Sequence, residues 1–266
     1  MTVKQSGTTA RNGLDLTGKH ALITGGGAGL GRQMTEALAE AGARVTICGR
    51  REAPVKKTAA ALVAAGHEAR GFVADVTVDA DRRRLRDETG DVDILVNNAA
   101  RGERKDWLTV GMDEWRAIME LNLEAPFALM QLFVPSMITK GWGRVVNISS
   151  IYGLITGDPS LYGSWGNDLA SYVASKHGLI GLTKHIAVML GDKGITVNAL
   201  CPGMFPNTEA NESHSKELVP ALAARTPVKR AGNDTDLRAA VVYLSSPGSS
   251  FYTGQCLVVD GGWLAW

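Results

Sequence analysis

Apolar and polar positions alternate between two kinds of block along this chain. Short apolar runs, His20–Thr24, Arg44–Cys48, Ala69–Ala74, Val92–Val96, Gly143–Ile148, Ile195–Leu200 and Gln255–Val259, have the length and β-branched content of buried strands. Between them lie longer stretches whose apolar residues recur every three or four positions. One passes through Met34, Leu38 and Ala41 and stops at Gly42; others cover 58–65, 80–89 and 172–190. A long helix is expected from Met112 through Trp115, Ile118, Leu121 and Leu129, with a kink at Pro126. Strands alternating with helices predict an α/β protein with a doubly wound, seven-stranded, mostly parallel sheet and helices on both faces. No repeat, low-complexity segment or linker divides it. Residues 1–13 are expected to form a flexible tail, polar and unlike a signal peptide, and residues 14–266 a single domain.

The 266 residues suffice for one large core without disulfides. Lysine and arginine number 28 against 27 acidic residues, a net charge of +1, so nothing points to nucleic acid or a membrane surface. The run Arg82-Arg83-Arg84 reads as a solvated helix face. No apolar run is long enough to cross a bilayer. Cys48, Cys201 and Cys256 lack any metal or redox spacing and read as reduced residues of a cytoplasmic protein, and the five histidines suggest no metal site.

The chemistry concentrates at strand ends. Gly25-Gly-Gly-Ala-Gly29-Leu30-Gly31 lies between a strand and a helix, where backbone amides and a helix N-terminus receive a pyrophosphate; a plain tight turn is the alternative. Tyr172 and Lys176 stand four residues apart, about one helical turn, so phenol and ammonium leave the same face. A nearby ammonium favours the phenolate and would bring the tyrosine closer to neutral pH, although an ordinary surface pair has the same spacing. The second strand ends at Gly49 followed by Arg50 and Arg51, with no carboxylate to hold a ribose diol and a guanidinium able to grip a 2′-phosphate. This favours NADP, with NAD as the alternative, unless Arg50 only stacks on adenine or faces solvent.

These features, with Asn97-Asn98-Ala99-Ala100, Ser149-Ser150, Pro202-Gly203 and Thr253-Gly254-Gln255…Asp260-Gly261-Gly262, resemble the short-chain dehydrogenase/reductase family from about Leu16 to Trp263. The resemblance implies a Rossmann-like oxidoreductase with Tyr172 as general acid or base and Lys176 holding the nicotinamide ribose and lowering the Tyr172 pKa. It implies that Ser150 hydrogen-bonds the substrate oxygen, Ser149 facing the other way. Asn122 would hold a proton-relay water; otherwise it satisfies a kinked helix. Gly25, Gly29, Leu30, Gly31, Arg50, Asp75, Val76, Asn98, Ala99, Pro202 and Gly203 would contact the cofactor along with Tyr172 and Lys176. A homo-oligomer, a tetramer in this family, is also implied; the helix from Tyr172 carries an apolar surface that could pair with a second copy or be spent inside the subunit.

The chain departs from the family between Ser150 and Tyr172, where 21 residues intervene, more than members usually have. The added part, 157–168, is rich in turn formers and aromatics. Tyr152, Tyr162 and Trp165 could stack on a sugar face, with Asn167 or Asp168 on hydroxyls; equally, the segment could be a self-packed loop or a subunit contact. Arg101 could meet an anionic substrate group or be solvated. Phe205 begins a stretch to Arg225 expected to lie over the substrate as a mobile lid, and Asn207 stands where the family has threonine. The expectation is an enzyme acting on a small polar secondary alcohol or ketone: a sugar, sugar acid or polyol. A 3-oxoacyl thioester reductase shares every motif, and a non-catalytic dinucleotide sensor would share the fold.

Overall fold

The computed structural model describes residues 9–102, 105–158, 169–206 and 212–265. Seven strands form one sheet in the order β3-β2-β1-β4-β5-β6-β7: β1 (His20–Thr24), β2 (Arg44–Gly49), β3 (Ala69–Val73), β4 (Ile94–Asn97), β5 (Gly143–Ile148), β6 (Ile195–Pro202) and β7 (Cys256–Val259). All six pairings are parallel, so every connection crosses over. The central strands are buried on both faces, which is why β1, β4, β5 and β6 read as continuous apolar runs.

Two layers of helices cover the sheet. Helix α1 (Ala10–Gly13) is one short turn whose Gly13 lies against Gly248, so this end of the expected tail is held; residues 1–8 lie outside the described residues. On one face, α2 (Gly29–Glu40) and α3 (Glu52–Ala64) share a core with α9 (Arg238–Ser245), through Leu38, Leu62 and Val241. On the other, α4 (Asp79–Thr89), α6 (Ala125–Lys140) and α7 (Ala170–Leu190) bury Leu85, Phe133 and Ala187. Helix α8 (Glu212–Arg225) lies within the expected lid, while α9 carries no sequence signal recognised above. Helix α3 begins six residues before the expected Thr58, because Pro54 falls in its first turn, where no amide donor is needed.

The long helix differs from expectation in how it bends. Helix α5 (Met112–Met119) passes through a π-helical turn, Glu120–Glu124, into α6; the Ala125 amide donates to the Glu120 carbonyl, five residues back. Pro126 then stands at the start of α6 and not at a bend within it. Contrary to the expectation that no run is long enough, the combined helix Met112–Lys140 could span a membrane by length and composition, yet half of its most apolar stretch is buried, as in a core helix.

The order of strands reverses between β1 and β4, so a crevice opens at their carboxyl ends. The candidate cofactor residues reach this edge from the strand-end turns, from the first turn of α2 and, for Tyr172 and Lys176, from α7.

Candidate active site

The crevice is built first from backbone. β1 ends at Thr24, whose hydroxyl accepts hydrogen bonds from the amides of Asn98 and Ala99, each at 3.0 Å. The Asn98 side chain donates to the Thr24 carbonyl at 2.9 Å, tying the glycine turn to the end of β4 across the switch point. Gly25 takes φ of 66°, and a Cβ on Gly31 would collide with the Gly25 carbonyl oxygen, so both must be glycine. This close approach leaves the N-terminus of α2, from Gly29, facing an open cavity of about 570 Å³.

Gly25, Gly29, Leu30, Gly31, Arg50, Asp75, Val76, Asn98, Ala99, Tyr172 and Lys176 all line that cavity, as the sequence reading expected. Its shape suits an extended dinucleotide, with helix amides for a pyrophosphate at the centre. Gly27, Ala28, Arg51 and Pro54 line it too and were not singled out. Pro202 and Gly203 do not line it: Pro202 is the last residue of β6, and the Gly203 amide donates to the Val259 carbonyl at 2.9 Å.

At the outer end, Arg50 stands 3.6 Å from the Asp75 carboxylate, with 62% of its side chain exposed. Asp75 is fixed by the amide and hydroxyl of Thr77, at 3.0 and 2.7 Å, while its own amide donates to Asp81 at 2.7 Å. Arg82 contributes from behind. The sequence suggested a solvated side chain, but Arg82 is mostly buried and donates to the carbonyls of Val76 and Thr77 at 2.9 and 2.8 Å. The role is local: from the first turn of α4, Arg82 reaches back to carbonyls five and six residues before it.

At the inner end, Tyr172 and Lys176 emerge from one face of α7 beside the ends of β5 and β6. The Lys176 amine is buried and donates to the Ile148 carbonyl at 2.7 Å; it lies 5.5 Å from the Tyr172 ring centre. Burial lowers the Lys176 pKa to about 8. The Tyr172 pKa is raised, mainly by burial, with a hydrogen bond to Ser150 acting in the opposite direction. The expected lowering of the tyrosine by the lysine is therefore not found: the amine turns to a carbonyl, and desolvation prevails.

Ser150 is buried and extended, φ −170°, and its hydroxyl accepts from the Tyr152 amide at 3.1 Å. Ser149 points elsewhere, its hydroxyl donating to the Lys176 carbonyl at 3.1 Å. Asn122 sits within the π-helical turn. Its amide group donates to the Arg101 carbonyl at 2.8 Å and to the Ser175 hydroxyl at 3.1 Å, and its oxygen accepts from the Arg101 amide at 3.0 Å. Ser175 in turn donates to the Tyr172 carbonyl at 2.8 Å, so the asparagine joins the post-β4 loop to the turn that carries the tyrosine. Phenol and buried amine thus line one end of the cavity, and Ser150, although Ser149 and not Ser150 lines it, is hydrogen-bonded to the phenol. Such a set can pass a proton to or from an oxygen placed between Ser150 and Tyr172.

The substrate candidates are less gathered. Arg101 is exposed, with its backbone pinned by Asn122. Tyr152 offers no open face: it is 5% exposed, packed with Ile151, Leu222 and Trp263, and Gly157 lies against its ring. Phe205 lies against Gly232 and lines a separate cavity of about 190 Å³ with Met204, Thr226 and Arg230. Trp165, Tyr162, Asn167, Asp168 and Asn207 lie outside the described residues. Among the described residues no cluster of histidine, cysteine and carboxylate suits a metal ion.

Residues 25–264 match the family model described as enoyl-(acyl carrier protein) reductase. A 3-oxoacyl-[acyl-carrier-protein] reductase of Vibrio cholerae is 36% identical over 94% of this chain and 98% of its own length. A solved gluconate 5-dehydrogenase of Burkholderia cenocepacia, in complex with NADP and tartrate, superimposes with TM-score 0.87 at 32% identity, over 97% of this chain and all of that one. A structure from Beutenbergia cavernae, provisionally described as an NAD(P)-dependent gluconate 5-dehydrogenase with bound NADP, gives 0.86 at 35% identity, over 96% of this chain and all of the other.

Proposed function

The chain belongs to the short-chain dehydrogenase/reductase family, as an NAD(P)-dependent oxidoreductase acting on CH–OH groups, and from that premise we propose that it interconverts a compact polar secondary alcohol, of the sugar-acid or polyol kind, with its ketone, using NADP. The likeness over nearly the whole chain to gluconate dehydrogenases carries the substrate class. The exposed Arg50 at the adenosine end supports the choice of cofactor.

Tyr172 donates the proton to the carbonyl oxygen on reduction and removes it on oxidation, Ser150 hydrogen-bonds that oxygen, and Lys176 holds the ribose hydroxyls of the nicotinamide half. Gly25, Gly29, Leu30 and Gly31 receive the pyrophosphate, and Asn98 and Ala99 flank the nicotinamide ribose. Asp75 and Val76 flank the adenine, with Arg50 on the 2′-phosphate. The hydride itself is the cofactor's chemistry; the protein supplies position and a proton. Asn122 positions Tyr172 through Ser175. Arg101, at the mouth, is the candidate for a substrate carboxylate. Pro202, Gly203 and Phe205 have weaker support, since none lines the main cavity.

A 3-oxoacyl thioester reductase is the second reading, favoured by the Vibrio cholerae relative. Initial rates with gluconate and other sugar acids, polyols and a 3-oxoacyl thioester, using both cofactors, separate the two. A kcat/KM for the thioester exceeding that for every polar alcohol would overturn the sugar-acid reading. The same proposal includes a homotetramer. Phe127 on α6 and Val188 and Met189 on α7 are 42%, 82% and 58% exposed, apolar side chains that a second copy would cover. A single-subunit mass by light scattering at micromolar concentration would rule it out.

A further inference from the structure

Three segments far apart in the chain converge beside Tyr172. The 3₁₀ turn after Ser150 contributes Ile151 and Tyr152, α8 contributes Leu222, and the segment after β7 contributes Trp263. All four are buried in one cluster, against which Tyr172, Leu169 and Met204 pack. Two walls therefore stand by the tyrosine: the chain leaving Ser150, and α8. A bridge joins them. Arg225, the last residue of α8, donates to the Asp158 carboxylate at 2.8 Å, and its guanidinium lies 5.3 Å above the centre of the Trp263 ring.

We infer that the Asp158–Arg225 pair, seated on Trp263, is a size determinant for the substrate. An acyl chain attached to a carrier must leave the catalytic centre through an open side, whereas a compact polyol is enclosed completely. The pair ties the chain leaving Ser150 to the last residue of α8, so a long group leaving Tyr172 between those two walls would meet it. Asp158 and Arg225 are 36% and 43% exposed, so the contact is weak in stability terms and its loss should leave the fold intact. Asp158 and Arg225 are positioning residues in this scheme: they touch neither cofactor nor reacting atoms, and act by holding the walls together. The inference rests on the compact-substrate reading above.

The test uses the full chain as wild type, Asp158→Ala, Arg225→Ala, the isosteric Asp158→Asn, and the charge swap Asp158→Arg with Arg225→Asp. Each is assayed by oxidation of gluconate with NADP and by reduction of a 3-oxohexanoyl thioester with NADPH. The single variants should raise kcat/KM for the thioester by about two- to fivefold through KM, the range a partly exposed ion pair can control. Their kcat on gluconate should stay within about twofold of wild type, and Asp158→Asn should show the gain at the wild-type Tm. The charge swap should return the thioester to its wild-type value. Unchanged thioester kinetics in every single variant, or a gain that the swap fails to reverse, overturns the inference. A wild-type enzyme that prefers the thioester strikes instead at the substrate reading, and the ratio of variant to wild type then decides the size determinant alone.

Discussion

The two ends of the dinucleotide cavity are built on opposite principles. At the nicotinamide end, Lys176 is 2% exposed and its amine is spent on a carbonyl. At the adenosine end, Arg50 is largely exposed and stands 3.6 Å from Asp75. An ion pair in that setting contributes at most about 1 kcal/mol, so Arg50 can leave Asp75 for a phosphate at little cost. The buried amine has no such freedom, and desolvation fixes its geometry and moves its pKa. On the proposed reading, chemistry belongs at the rigid end and choice between cofactors at the adaptable one.

The largest expected effect tests the rigid end. Tyr172→Phe should lower kcat by about 10²–10⁴ while NADP affinity stays within about twofold, because only the transferable proton is lost. A variant keeping more than a tenth of wild-type kcat would break the comparison at its root. Arg50→Ala tests the other end: NADP should bind about ten- to a hundredfold more weakly and NAD unchanged, by fluorescence titration. Equal weakening of both would mean that Arg50 stacks on the base.

Lys176 gives a pH signature. Its folded pKa, about 8, is below the ordinary lysine value of 10.5, so between these the unfolded chain binds more protons and stability rises with pH. The slope should approach about 1.4 kcal/mol per pH unit, and it should end near pH 10, where the raised Tyr172 begins to act in the opposite sense. Denaturant melts of Lys176→Met should lack the rise; if the slope persists, burial of this amine is not its source. The smallest effect is Asp75→Asn. Freeing Arg50 should tighten NADP by about two- to fivefold while NAD weakens or holds, and a parallel loss of both would show that Asp75 matters only to adenine.

The rigid end was legible in the sequence because it is made of local geometry. A glycine turn between strand and helix, and a tyrosine and lysine one turn apart, have nearly the same meaning in any context. Residues whose roles depend on a return of the chain were not. Arg82 is a different case: its partners lie only five and six residues back, but a run of three arginines does not show which one turns inward. Tyr152 looked like a stacking platform because nothing in a turn-rich stretch announces that Leu222 and Trp263 will enclose it. Helix α9 escaped notice because its eight residues are too few to display a period, and their apolar face is matched by α2.

One turn of the long helix has a consequence for phase. Leu121, Ala125, Leu129, Phe133 and Met137 are all buried at a strict spacing of four residues. In an ideal α-helix each such step overshoots a full turn by about 40°, and a stripe so spaced would wind away from the sheet. The π-helical turn at Glu120–Glu124 holds more residues per revolution, so the first step, from Leu121 to Ala125, adds little of that overshoot. The widened turn works as an angular correction at the first step of the stripe. Downstream, Ala125, Leu129, Phe133 and Met137 stay in the core, while within the turn Asn122 reaches Ser175.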